Sequence, residues 1–284
     1  MNTKKLLIIL LMFVLTMSFT LGLAQAEKLK IAIMQDKKGA AAKYKPLVPY
    51  FKQKGIDVSF VGTPDYTAAA KMFANGKADA MFSGSGVAGS MIIKGVANPI
   101  ARPLGKKGTS TYWAVILAPK GSPKYAGSAD YFSGKQVIYC SLASSGEIYF
   151  RSIGGHTTAK KMMKAASHGA AIDALARGKA DFAIVKNRVW DKMKNKYPDL
   201  EVVGNDTGEN PNGTLILSKK TPSSLAGKVS SALIGLMEDP SSEAKAVRDQ
   251  MNVMGYIKTT NDDFSHTLNL LKNAGVDKGF AFEF

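Results

Sequence analysis

Three short stretches of the sequence combine hydroxyl side chains with glycine where a predicted strand ends or a predicted helix begins. They are Ser83-Gly84-Ser85-Gly86, Ser144-Ser145-Gly146 and Ser167-His168-Gly169. Glycine allows the backbone to approach a ligand closely, and the N–H groups at the start of a helix attract anions. With their serine hydroxyls and one imidazole, these stretches predict a site that binds an oxyanion through neutral donors.

Each stretch also has a purely structural interpretation. A Gly/Ser loop can be a flexible turn that contacts no ligand. Ser144-x-x-Glu147 fits a capping box, in which the serine bonds the start of its own helix. His168 also fits a buried histidine whose hydrogen bonds the protein satisfies. Its position beside Ser167 at a polar helix start favours a ligand contact, and both interpretations stay open here.

The sequence lacks the constellation of residues that catalysis needs. It contains no Gly-x-Ser-x-Gly elbow, no P-loop and no dinucleotide fingerprint. Its three histidines, His156, His168 and His266, do not have the spacing of metal ligands. We therefore expect no catalytic residue, no metal and no cofactor. An exported hydrolase that uses His168 with a serine is the minority alternative.

One segment of the sequence occurs twice. Residues 65–82 and 167–184 align without a gap, so that Gly76-Lys77-Ala78-Asp79 falls on Gly178-Lys179-Ala180-Asp181. Each copy has the apolar spacing of a short helix, followed by a glycine turn and a buried strand. Chance similarity between two ordinary units is the alternative, but the four matched residues around the turn favour duplication. The chain therefore predicts two similar α/β lobes.

The order of predicted elements indicates how the lobes are connected. Residues 29–83 alternate between strand and helix, which calls for a parallel sheet with helices on its faces. A strand at 109–119 leads towards the second repeat, and a strand at 214–217 leads back. The segment after Pro222 has helical patterns to the end of the chain.

We therefore predict lobe 1 over residues 27–117 and 218–284, and lobe 2 over residues 118–217. Two crossings between lobes make a hinge, and the cleft between the lobes is the expected ligand site.

The first 26 residues have the pattern of a secretory signal peptide. Lys4 and Lys5 form its basic start, residues 6–14 its apolar core, and Ala24-Gln25-Ala26 a cleavage site of small residues. Cleavage after Ala26 would release the mature chain into the periplasm. The apolar core is short for a membrane span, and a retained N-terminal anchor is the alternative.

Charge and cysteine content limit the remaining possibilities. Without Lys4 and Lys5, 36 basic residues face 22 acidic ones, and this net charge of +14 favours anionic partners. The lysines are scattered singly and no nucleic-acid motif accompanies them, so we expect no nucleic-acid partner. Cys140 is the only cysteine, which excludes an internal disulfide, and it ends a predicted core strand at 137–140.

At these positions the sequence resembles the phosphonate-binding periplasmic proteins of ABC transporters, a family that also includes phosphite and hypophosphite binders. The resemblance runs through nearly all of residues 27–284. It rests on an ordered set of segments: Ala32-Ile33-Met34-Gln35-Asp36, Pro64-Asp65-Tyr66-Thr67, Gly108-Thr109-Ser110-Thr111-Tyr112, Ser144-Ser145-Gly146, and Ser167-His168-Gly169 with Gly178-Lys179-Ala180-Asp181.

This resemblance implies a two-lobed type II periplasmic-binding fold, in which each lobe is a mixed sheet flanked by helices. Such a protein closes on a small ligand and delivers it to a membrane permease. By family likeness it would work as a monomer.

The resemblance also implies which residues hold the ligand. Tyr66 of lobe 1 would contact it, while Ser144, Ser145 and His168 of lobe 2 would hold the phosphorus-bound oxygens. Together with the loops described above, the predicted ligand-binding residues are Tyr66, Ser83, Ser85, Tyr112, Ser144, Ser145, Gly146, Ser167, His168 and Lys186.

Two departures from the family pattern concern the identity of the ligand. Lys186 stands where the family often has an acidic residue, which suits an ammonium group. Ser85-Gly86-Val87-Ala88 replaces a loop that usually has a proline and an aromatic residue after the glycine. We therefore expect a phosphorus oxyanion without an ammonium group, or one with a further negative group for Lys186. A binder of a different anionic metabolite, or a sensor component, is the alternative.

Overall fold

The computed structural model describes residues 27–34, 40–64, 66–140, 144–282 and 284. The predicted signal peptide and the side chain of Tyr66 lie outside the described residues. The strands are, in chain order, β1 (Glu27–Met34), β2 (Ile56–Thr63), β3 (Ala80–Ser83), β4 (Ala97–Gly105), β5 (Thr111–Tyr112), β6 (Ala114–Pro119), β7 (Gln136–Cys140), β8 (Lys161–Ala165), β9 (Phe182–Lys186), β10 (Leu200–Asn205), β11 (Asn210–Pro211), β12 (Thr214–Ser218) and β13 (Val253–Lys258).

The α-helices alternate with these strands, and four short 3-10 turns lie between them. The helices are α1 (Leu47–Gln53), α2 (Tyr66–Ala74), α3 (Ser85–Ile93), α4 (Ser145–Ser152), α5 (Gly155–Thr158), α6 (His168–Ala176), α7 (Asn187–Met193), α8 (Ser223–Gly235), α9 (Ser242–Met251) and α10 (Ser265–Asn273). The 3-10 turns are Ala40–Tyr44, Ala129–Phe132, Lys194–Lys196 and Asp262–Phe264.

Two mixed sheets with the same internal plan organise the chain. The first has the order β13-β4-β12-β3-β1-β2, and the second has the order β10-β6-β9-β7-β8. In the first, β1 runs parallel to β2 and β3, and β12 runs antiparallel to β3. In the second, β7 runs parallel to β8 and β9, and β6 runs antiparallel to β9. The predicted α/β architecture with two similar halves is confirmed.

Apolar side chains cover both faces of each sheet. In β1, Leu29 and Ile31 belong to one buried cluster and Ala32 to the cluster on the opposite face. Because successive side chains of a strand point to opposite faces, a strand with helices on both sides is apolar throughout. In the second sheet, Cys140 is buried at the end of β7, as the sequence predicted.

The chain crosses between the sheets twice, through residues 106–113 and 206–213. Within these crossings β5 and β11 pair as a short antiparallel ribbon. The predicted lobe boundaries at residues 117 and 217 are each one strand too late, because β6 belongs to the second sheet and β12 to the first. An apolar strand packs equally well in either sheet, so its pattern could not tell which lobe it joins.

The C-terminal segment contains a strand that the sequence analysis did not predict. Three helices lie in this segment, where the sequence predicted helical patterns, but β13 separates the second from the third and pairs antiparallel with β4. This strand forms one edge of the first sheet, and Gly255 and Lys258 interrupt its apolar pattern.

The duplicated turns have the same structural role in both lobes. Gly76 and Gly178 adopt left-handed conformations, with φ of 70° and 68°. The carboxylate of Asp79 accepts a hydrogen bond from the backbone N–H of Lys30 at 2.8 Å, and that of Asp181 accepts one from Gln136 at 2.7 Å. Each repeat therefore attaches its turn to the parallel strand beside its own strand, β1 next to β3 in the first sheet and β7 next to β9 in the second.

Replacing Asp181 with alanine is expected to lower the free energy of unfolding by about 1–2 kcal/mol, because the N–H of Gln136 loses its acceptor. The shift in the urea midpoint measures this loss. Asp181→Asn is the matched control, since its amide oxygen can still accept the bond and should retain most of the stability. Equal losses in the two variants would mean that the negative charge matters rather than the bond.

Candidate functional site

Ser85 and Tyr112 bring the first sheet into contact with the crossing ribbon. Ser85 begins α3 just after β3, and its hydroxyl is hydrogen-bonded to the Tyr112 hydroxyl. Both side chains are buried. Burial raises the pKa of Tyr112, and the hydroxyls of Ser85 and Ser145 beside it partly oppose this shift. Tyr112 is therefore a neutral phenol at neutral pH and can donate a hydrogen bond.

Three more polar atoms in this region are buried without a hydrogen-bond partner among the described residues. They are Ser83 Oγ, Ser145 Oγ and His168 Nδ1. Ser145 lies near enough to Tyr112 to lower its pKa, but makes no regular hydrogen bond to it. An unpartnered buried polar atom costs about 1–3 kcal/mol. Several such atoms where the two lobes meet indicate a place where a ligand can complete the bonding.

We call Ser83, Ser85, Tyr112, Ser145 and His168 the neutral donors. His168 belongs with them because burial, and then the charge of Lys186, lower its pKa to about 3. Its imidazole is therefore uncharged at neutral pH, with one nitrogen able to donate and the other to accept.

Helix starts supply further donors, and the three relevant starts differ. The Ser144 hydroxyl caps α4 by accepting from the N–H of Glu147 at 3.2 Å, and it donates to the Cys140 carbonyl at 2.5 Å. Ser167 caps α6 by accepting from the N–H of Ala170 at 3.1 Å. No described side chain caps α3, which begins after Gly84. No side-chain cap among the described residues therefore occupies the N–H groups at the start of α3, although that of Ser85 faces the Tyr112 hydroxyl.

The capping interpretation of Ser144 is thus seen in the structure, where Ser167 caps its helix as well. Contact of either serine with a ligand stays a prediction. Gly146 has a packing role of its own. A Cβ added there would lie 2.1 Å from the carbonyl oxygen of Ile184. The start of α4 can approach β9 only because residue 146 is glycine.

Lys186 joins the neutral donors to the second crossing. Its Nζ lies 3.7 Å from the centre of the Tyr112 ring and donates to the Asn212 amide oxygen at 2.5 Å. Both partners are uncharged, so the positive charge of Lys186 is not neutralised by them. Burial lowers the pKa of Lys186 to about 7, and the charges of Arg188, Lys43 and Lys192 act in the same direction.

A cavity of about 470 Å³ lies between the two halves beside these groups. Described residues from the first sheet, the second sheet and both crossings line it. They are Ile33, Lys43, Tyr44, Phe82, Ser83, Gly84, Pro103, Gly105, Lys186, Arg188, Val189, Lys192, Asn212, Gly213, Met251, Asn252, Val253 and Tyr256. Lys43, Lys186, Arg188 and Lys192, here called the basic cluster, are its basic residues, and none of the described lining residues is acidic.

Sequence reasoning singled out only Lys186 from the basic cluster. Arg188 and Lys192 are four residues apart on α7, so they lie on the same side of that helix. Their position directly after a buried strand was the available signal. Because lysines are scattered along the whole sequence, this position could not be distinguished from the others.

Two α/β sheets, two crossings and a polar cavity between the halves define the class of two-lobed ligand-binding proteins. No helix in the described part of the chain is both long and apolar enough to span a membrane. Residues 30–264 match the family model described as "ABC transporter, phosphonate, periplasmic substrate-binding protein". The chain belongs to this family, whose members capture ligands for ABC permeases and are exported. The sequence matches none of the curated proteins with which it was compared.

Several solved structures share the fold at low sequence identity. PhnD1 from Prochlorococcus marinus, in complex with methylphosphonate, has a TM-score of 0.69 and 14% identity, covering 88% of this chain and 99% of that one. A binding protein component of an ABC phosphonate transporter from Pseudomonas aeruginosa has a TM-score of 0.67 and 16% identity, covering 88% of this chain and 87% of that one. XAC2383 from Xanthomonas citri, bound to ATP, has a TM-score of 0.72 and 14% identity, covering 88% of this chain and 97% of that one.

Proposed function

We propose that this protein is cleaved after Ala26, captures a phosphorus oxyanion between its lobes, and delivers it unchanged to an ABC permease, acting as a monomer. One observation carries the proposal. Buried donors from the first lobe (Ser83), the hinge (Tyr112) and the second lobe (Ser145, His168) lie where the two lobes meet, and the buried polar atoms of Ser83, Ser145 and His168 lack partners among the described residues. A ligand that touches both lobes can satisfy them together.

The chemistry of these donors suits a tetrahedral oxyanion. Hydroxyls, a neutral phenol and a neutral imidazole donate hydrogen bonds to oxygen in several directions, as the uncapped start of α3 also does. Positive charge from Lys186 lies beside them. No described lining residue offers the carboxylate that would hold an ammonium group, which argues against an aminoalkyl phosphonate.

Thermal unfolding of the exported protein against a panel of anions tests the proposal. The panel contains methylphosphonate, phosphite, phosphate, 2-aminoethylphosphonate, sulfate and ATP. A phosphorus oxyanion at a hundred times its dissociation constant should add about 2.7 kcal/mol of stability. No stabilisation by any phosphorus oxyanion would reject the proposal, while a response to sulfate or another anion alone would favour a different anionic metabolite.

Two neighbouring serines provide a matched pair for this experiment. Ser145→Ala removes an unpartnered hydroxyl, so it should abolish most of the ligand-induced shift without destabilising the ligand-free protein. Ser144→Ala removes a helix cap, so it should cost about 1 kcal/mol with or without ligand. The reverse pattern would place Ser144, rather than Ser145, among the residues that hold the oxyanion.

A further inference from the structure

The cavity between the lobes contains more positive charge than one oxyanion bound at the neutral donors can neutralise. Arg188 and Lys192 make no ion pair or hydrogen bond with any described residue, and Nη1 of Arg188 is a buried atom without a partner. The Lys186 ammonium meets the uncharged Tyr112 and Asn212, and it forms no ion pair with a described residue. Like charges that face one another across a cavity repel, and a second anionic group would relieve that repulsion.

The two sets of donors are adjacent but chemically different. The neutral donors lie at strand ends and helix starts, whereas Arg188 and Lys192 lie on the next helix, α7. Lys186, at the end of β9, contacts Tyr112 of the first set, and its charge interacts with that of Arg188 in the second. A molecule that extends from one set to the other would pass Lys186.

The cavity also has room and an apolar wall for an organic body. Its volume of about 470 Å³ is in the range of pockets that hold organic ligands, about 300–1,000 Å³. Tyr44, Phe82 and Tyr256 line it, with the Tyr44 and Phe82 rings stacked at 4.8 Å. A bare phosphite or phosphate would leave this wall and the far cations without contacts.

We propose that the ligand carries two anionic groups on a short organic body: a phosphoryl group bound by the neutral donors, and a second anionic group bound by Arg188 with Lys186 and Lys192. This inference rests on the proposed function and specifies its ligand class. The planar guanidinium of Arg188 can bind a carboxylate or a phosphoryl group through two parallel hydrogen bonds. The experiment below distinguishes these two forms of the second group.

Isothermal titration with matched ligands tests the inference. Phosphonoacetate is compared with its carboxyl methyl ester, which has nearly the same size and one anionic group fewer. Methylenediphosphonate is the arm with a second phosphoryl group, and methylphosphonate is the reference. We expect at least one two-anion ligand to bind ten- to a hundredfold more tightly than the ester, as one or more charge-assisted pairs would provide.

The variant Arg188→Gln should cost the two-anion ligand at least tenfold more affinity than it costs methylphosphonate, whose continued binding also shows that the variant is folded. Arg177→Gln, an exposed arginine in the same lobe, is the matched control and should change neither affinity. Equal binding of the ester and both two-anion ligands would overturn the inference, as would an equal loss for methylphosphonate in Arg188→Gln. If neither methylphosphonate nor any other phosphorus ligand binds the unmodified protein, the proposed function itself fails.

Discussion

Gly146→Ala is expected to destabilise the protein by about 3 kcal/mol or more. The added Cβ would lie 2.1 Å from the carbonyl oxygen and 2.9 Å from the carbonyl carbon of Ile184. Both are backbone atoms of β9, which pairs with β6 on one side and β7 on the other and cannot move alone. Helix α4 must therefore shift away from the sheet, and overpacking against backbone costs more than the 1–3 kcal/mol typical of flexible side chains.

The shift would also affect ligand binding, because Ser145 lies on the same first turn of α4. We expect the ligand-induced thermal shift to be lost together with stability in Gly146→Ala. Urea unfolding of ligand-free protein measures the first effect, and the thermal shift measures the second.

Gly227→Ala is the matched control within the same chain. Gly227 lies in helix α8, where an added Cβ meets nothing within 4 Å. Alanine there should leave the protein as stable or raise its stability by about 0.5–1 kcal/mol, because alanine favours the helix. Similar unfolding curves for the two variants would show that α4 is not held against Ile184 as tightly as the structure indicates.

The sequence predicted the parts of the fold that depend on local pattern. The glycine turns of the two repeats, the strand that ends at Cys140 and the Ser144 cap follow from spacing over a few residues. Partnership between distant segments was not predictable in the same way. The positions of β6 and β12 in opposite sheets, and the pairing of β13 with β4, depend on contacts between residues far apart in the chain.

The candidate site shows the same difference between what local pattern predicts and what depends on contacts between distant segments. Ser83, Ser85, Ser145 and His168 could be selected because hydroxyl, glycine and imidazole groups at helix starts have a recognisable pattern. The basic cluster could not, since Lys43 comes from a segment well before β2 while Arg188 and Lys192 follow β9. Only the folded chain shows that these charges face one cavity, and that His168 is neutral there.

Lys186→Met is expected to make the ligand-free protein more stable at pH 6–7 and to weaken anion binding. In the folded protein burial lowers the pKa of Lys186 from its ordinary value of 10.5 to about 7. The unfolded chain therefore binds more protons than the folded one between pH 7 and about 10, and the stability of the unmodified protein should rise with pH across this window. Below pH 7 both states are protonated and the full cost of the buried charge is present.

The free energy of unfolding should be about 2 kcal/mol higher in Lys186→Met at pH 6, and this difference should disappear towards pH 10. Solvent reaches the half-buried ammonium of Lys186 and limits the size of the difference. Arg188, Lys43 and Lys192 surround Lys186 with positive charge, while His168 and Tyr112 are uncharged over this range. Lys192→Met is the matched control. Lys192 is exposed, so its removal should reduce the repulsion slightly without flattening the pH dependence.

Ligand binding should reverse the shift in the pKa of Lys186, because a bound anion favours the ammonium form. Binding near pH 7.5 should then take up protons, which calorimetry in buffers of different ionisation enthalpy measures directly. Lys186→Met should abolish that uptake, and Lys192→Met should retain it. Equal proton uptake in all three proteins would mean that another group senses the anion, and Lys186 would then be a structural partner of Tyr112 and Asn212 rather than part of the binding site.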